Sequence, residues 1–122
     1  MNDPSVDDPS VKLVNLTPHE VVLETDSGVL RLPPEGVRPE VTMDTSDVGQ
    51  LKLTGGFTIS VSEVRHGEVK GLPDPQDGVY LIVARLVAQA ASDRSDLVFP
   101  DDFARDTDGN IIAARRLGRI AR

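Results

Sequence analysis

The sequence predicts an α+β domain that is mainly β: a strongly bent, barrel-like sheet, mixed or antiparallel, with one short covering helix. Three observations carry this expectation. Apolar and polar residues alternate at period two in several segments, most cleanly in Phe57-Thr58-Ile59-Ser60-Val61-Ser62, where Phe57, Ile59 and Val61 share one face. Gly, Pro and Asp punctuate these segments at short intervals, as turns between strands require. Helical spacing appears once, at Val83, Leu86, Val87, Ala90 and Ala91, directly after the apolar run Val79-Tyr80-Leu81-Ile82-Val83.

Residues 1–10, MNDPSVDDPS, contain three Asp and two Pro with one branched aliphatic residue, too little apolar surface to offset the entropy of ordering. They are expected to form a disordered acidic tail, with one domain over residues 11–117 and a frayed basic terminus over 118–122. Within the domain, residues 12–16 and 19–25 read as strands separated by Thr17-Pro18. Asp26-Ser27-Gly28 is a hairpin turn leading into Val29-Leu30-Arg31-Leu32, and Pro33-Pro34 ends that strand at an edge or corner.

Residues 37–43 read as an edge strand because of Pro39, residues 45–50 as a polar bend, and Leu51-Lys52-Leu53 as a short alternating strand. Gly55-Gly56 turns the chain into the Phe57 strand, whose continuation is interrupted at His66-Gly67 by a bulge or a tight turn. Two prolines make residues 71–78 a rigid loop. Residues 79–83 are apolar on both faces, as a central strand requires, and four alanines between 84 and 91 favour the helix. Leu97-Val98-Phe99 is a brief strand stopped by Pro100, and a last hairpin over 103–114 turns at Asp108-Gly109, a type I′ signal.

Composition narrows the functional classes. The 122 residues suit one domain with a largely aliphatic core, since there is no Trp, one Tyr and three Phe. The formal charge is −7, from 20 acidic against 13 basic residues, which disfavours phosphate backbones and anionic membranes. A nucleic-acid role would need Arg115, Arg116, Arg119 and Arg122 to meet Arg85, Arg94 and Arg105 on one face. The surface is rich in Asp and poor in Lys, the balance expected of a saline environment or a GC-rich genome. With no Cys, the chain lacks thiolate nucleophiles and the ligands of the usual structural zinc sites. No leader or membrane-length apolar segment is evident, so a soluble, cytoplasmic protein is expected.

No reactive constellation stands out. His19 and His66 are the two imidazoles, and a metal or hydrolytic site would have to pair one of them with Glu20, Glu68 or Asp74, without any HExxH spacing or GxSxG elbow. No metal and no cofactor are expected. Asp106-Thr107-Asp108-Gly109-Asn110 imitates the start of a calcium loop but places Ile111 where Gly is needed and Leu117 where the closing Glu is needed, so a hairpin turn is the better reading. The proline-stiffened loop is the best interaction candidate, because it holds Asp74, Gln76 and Asp77 at low entropic cost. Arg85 and Gln89, one helical turn apart, form a candidate polar cluster for a carboxylate or an acidic segment.

Two stretches, Val14-Asn15-Leu16-Thr17-Pro18-His19 and Leu72-Pro73-Asp74-Pro75-Gln76-Asp77-Gly78 followed by residues 80–90, resemble a small uncharacterised family of phage, prophage, actinobacterial and haloarchaeal proteins. The resemblance implies Asn15, Thr17, His19, Pro73, Pro75 and Gln76 as residues of interest and adds Asn15, Thr17 and His19 to the polar cluster. It also implies an accessory role in a mobile element. The functional expectation is a non-enzymatic interaction or structural protein that binds a protein partner or itself by pairing of open strand edges. The alternatives are a small enzyme using His19 or His66 and a nucleic-acid-associated regulator.

Overall fold

A computed structural model describes residues 10–121. The expected tail, apart from Ser10, and Arg122 lie outside the described residues. In chain order the elements are β1 (Lys12–Asn15), β2 (Val21–Thr25), β3 (Gly28–Leu32), β4 (Glu40–Lys52), β5 (Thr58–Lys70), β6 (Val79–Ile82), α1 (Arg85–Ala90), β7 (Leu97–Arg105) and β8 (Ile111–Gly118). Six strands form a mixed sheet in the order β1-β6-β7-β8-β2-β3, and β4 pairs with β5 as a separate antiparallel ribbon. The sheet bends until β1 and β3, its two edges, approach each other, so that it nearly closes into a barrel with one short helix outside.

The apolar run before the helix sits where its composition demands. β6 lies between β1 and β7 with both neighbours parallel, and Tyr80, Leu81, Ile82 and Val83 are buried. Period two sends its residues to two different cores. Ile82 joins Val21, Leu23, Val98 and Ala114 inside the bend, while Leu81 and Val83 join Leu16, Leu97 and Phe99 on the outer face. The helix covers that outer face with Val87 and Ala88. Its short side chains let it lie close, and Gly118 admits the Phe99 ring, because a Cβ there would stand 2.7 Å from Phe99 Cε2. Ile120 packs against the same core, so order continues past Leu117.

Three expectations are corrected. Residues 45–50 are not a bend: β4 runs unbroken through them alongside β5, each strand 13 residues long, with the extra residue Val48 forming a bulge on β4. Their polarity reflects exposure on both faces rather than a break in the strand. Pro100 does not stop β7, which continues to Arg105. The Asp96 and Val98 carbonyls accept from the Leu81 and Val83 amides, so even-numbered residues of β7 turn their backbone polar groups toward β6. At Pro100 the neighbouring chain has already left for the helix, and no partner there needs the missing N–H. The last turn is not type I′: Gly109 alone has positive φ, at 85°, and the loop closes through Asp106 N to Asn110 O at 2.9 Å. The interruption at His66-Gly67 resolves as a bulge, since the register shifts between Val41 and Met43 opposite it.

Closure of the sheet rests on Asn15, which is 1% exposed. Its Nδ2 donates to the carbonyl of Leu32 at the end of β3 and to that of His19, each at 2.8 Å. Its Oδ1 accepts from the Thr17 amide at 2.9 Å and from the Thr17 hydroxyl at 2.6 Å. Its backbone carbonyl accepts from the Glu35 amide at 2.9 Å. One side chain thus joins the first strand to the far edge strand and shapes the turn from β1 into β2. Asn15→Ala strands the half-buried Leu32 carbonyl and Thr17 amide at once and is expected to cost about 2–4 kcal/mol by urea denaturation. Thr17→Val, which removes the hydroxyl shared between Asn15 Oδ1 and the His19 carbonyl but keeps the backbone bond, should cost about 1 kcal/mol in the same measurement.

Candidate interaction surfaces

The proline loop is held by an ion pair. Arg94 grips Asp96 with two parallel bonds, Nε to Oδ1 at 2.8 Å and Nη2 to Oδ2 at 2.7 Å, and the same Nη2 donates to the Pro73 carbonyl at 2.9 Å. Asp96 is 1% exposed. Its hydrogen bond holds Arg94 still more firmly in the cationic form, an effect to which its charge, with those of Asp93 and Asp74, adds, although burial opposes it. At its far end the loop is tied by Val79 N to Gln76 O at 3.2 Å and Lys12 N to Gly78 O at 2.7 Å. Asp74, Gln76 and Asp77 are exposed between these ties, so the structure places all three on one pinned segment.

The polar cluster divides. Asn15, Thr17 and His19 are joined by the bonds that close the sheet, so the Asn15 amide and the Thr17 hydroxyl are committed to structure. Arg85 lies over the Phe99 ring, 5.1 Å from its centroid, and Gln89 is exposed on α1. His19 is exposed between β1 and β2, whereas His66 is exposed on β5 opposite Met43. Among the described residues no group of three or more His, Asp or Glu is arranged to hold a metal ion.

Several arginines are engaged locally. Arg115 stands 3.5 Å from Glu24 and 3.8 Å from Asp102, Arg116 3.7 Å from Asp102, and Arg105 donates to the Gly109 carbonyl at 2.8 Å. Asp102 holds a left-handed backbone at φ 52°. In the last turn the Asp106 carboxylate accepts from the amides of Asn110 and Asp108, both at 2.9 Å, which lowers its pKa below the ordinary aspartate range, the Asn110 bond being the largest cause. The backbone therefore occupies the carboxylate of this calcium-loop mimic.

The feature that residue-by-residue reading missed is the ribbon. Every residue from 42 to 60 is exposed, and the base of the ribbon alone meets the domain, through Val41 and Val69 and contact with α1. At a rise of about 3.3 Å per residue, some 30 Å of two-stranded arm projects. Residues directly opposite in an antiparallel pair share a face. The pairs Leu51↔Ile59 and Gly49↔Val61, with Leu53 bonded to Phe57 at 2.7 Å, therefore define one side as Leu51, Leu53, Phe57, Ile59 and Val61. The pairs Lys52↔Thr58, Gln50↔Ser60 and Asp47↔Ser62 make the other side polar. Phe57 is 69% exposed at the tip. The signal was present in the sequence: two alternating segments flank Gly55-Gly56, and from 48 to 62 Lys52 is the single charged residue.

A hollow of about 400 Å³ also opens beside the inner core, lined by Leu13, Tyr80, Val98 and Leu117 with Val11 and Arg119 at its rim. Among the described residues no helix is long and apolar enough to cross a membrane. Comparison with family models, curated proteins and solved structures finds no match to this chain.

Two predictions follow from these geometries. Arg94→Ala leaves a buried carboxylate without its charge partner and should cost about 3–5 kcal/mol in chemical denaturation, whereas the double change Arg94→Met with Asp96→Leu should recover most of that loss. Because folding lowers the Asp106 pKa, its contribution is complete above the unfolded value of about 4 and is lost as pH falls through the folded one. Carboxyl NMR titration should find Asp106 protonating below the ordinary aspartate range, and Asp106→Asn, which removes the carboxylate acceptor, should abolish that low-pH titration step.

Proposed function

We propose that this protein is a non-enzymatic interaction or structural accessory protein whose working surface is the apolar side of the β4–β5 ribbon. The observation that carries the reading is the segregation of five apolar side chains onto one face of an arm that its own domain leaves uncovered. A two-stranded ribbon is at best marginally stable in water unless its apolar face is covered. A contiguous exposed apolar face rimmed by polar residues is the usual mark of a contact surface. The pinned loop bearing Asp74, Gln76 and Asp77 is a second, polar surface on the same domain. The mobile-element setting rests on the sequence resemblance alone.

A photo-crosslinking residue introduced at position 57, with the chain expressed in its native host, tests the reading. Discrete protein adducts should form from position 57 and not from position 60 on the polar side of the same arm. Equal labelling from both positions, or none from 57, would contradict it.

A further inference from the structure

The ribbon reading leaves the occupant open, and the charge distribution narrows it. We propose that the apolar face of the ribbon is covered by the same face of a second copy of this chain, packing Leu51, Leu53, Phe57, Ile59 and Val61 against their counterparts about a twofold axis. This inference rests on the ribbon being a contact surface and adds the identity of what it contacts.

Two identical molecules carrying −7 each repel one another over most of their surfaces. Residues 48–62 are the exception: they hold no carboxylate, and their one charge, Lys52, lies on the side away from the apolar face. The tip is thus where two acidic copies approach without opposing like charges. Geometry favours the same pairing. The same apolar residues on both copies supply the self-complementary patch that a twofold axis requires, and two such ribbons stack about 10 Å apart like the layers of a sandwich.

The five side chains expose on the order of 450 Å² of apolar surface per copy, so a face-to-face pair with its rim reaches the lower range, about 1,200 Å², of specific interfaces. A contact at the small end of that range is typical of reversible association rather than of an obligate dimer. It differs from pairing of open strand edges, because it uses side chains instead of backbone hydrogen bonds.

Sedimentation velocity on the full chain, from about 1 to about 300 μM, reads the outcome. The mass should rise from 13.1 kDa toward twice that value with concentration. Added sodium chloride should tighten association by screening the repulsion between copies. Phe57→Asp with Ile59→Asp should remain monomeric throughout, and Ser60→Asp should associate as wild type does. Circular dichroism and thermal melting confirm that each variant is folded, and Phe57→Ser with Ile59→Ser serves if the aspartates disturb the ribbon.

A wild-type monomer at the highest concentration would overturn the proposal. So would a dimer that survives the Phe57 and Ile59 changes, one abolished equally by Ser60→Asp, or one weakened by salt. If the pure chain is monomeric while position 57 crosslinks to a different protein, self-association fails and the contact-surface reading stands. If neither association nor crosslinking occurs, both fail.

Discussion

A single buried carboxamide, that of Asn15, holds the two ends of the sheet together. Burying an amide without partners costs several kcal/mol, so the site is favourable only when every bond is made. Here the side chain donates to Leu32 and His19 and accepts twice from Thr17. An apolar residue of similar size would fill the space but leave the Leu32 carbonyl and the Thr17 amide without their partner, the His19 carbonyl keeping the Thr17 hydroxyl. Closure therefore depends on one residue type at one position, and the inner core of Val21, Leu23, Ile82, Val98 and Ala114 is enclosed because the edges meet there.

The two-sided burial of β6 organises what surrounds this closure. One face of the strand supplies the inside of the bend and the other needs an external cover, which the Ala-rich helix provides. The chain must leave β6 for that helix and return as β7, and the return is fixed at its start by the Arg94–Asp96 pair. The same guanidinium reaches Pro73, so entry to β6 and entry to β7 are tied together. Within this frame the ribbon is peripheral: it touches the domain at its base, and its tip is exposed.

Much of this was legible in the sequence where local chemistry decides. The apolar run at 79–83 marks the central strand, helical spacing marks its cover, and Gly28, Gly55-Gly56 and Asp108-Gly109 mark turns. What was not legible depends on neighbours distant in sequence. Residues 45–50 read as a bend because a strand exposed on both faces carries no alternation. Pro100 reads as a stop because the side its nitrogen faces depends on where β6 ends. Asn15 stood out only by resemblance, since its partner Leu32 lies 17 residues away. The clean alternation at Phe57, Ile59 and Val61 states that these residues share a face, but alternation alone does not say whether the chain's own core or another molecule covers it.

Native-state hydrogen exchange tests the closure account most directly, because two amides bond to Asn15 from outside the regular ladders. The Thr17 and Glu35 amides should exchange only on global unfolding, with protection within about tenfold of the Leu81 and Val83 amides in the centre of the sheet. Independent, fast exchange at Thr17 and Glu35, while Leu81 and Val83 remain protected, would contradict a barrel latched by Asn15.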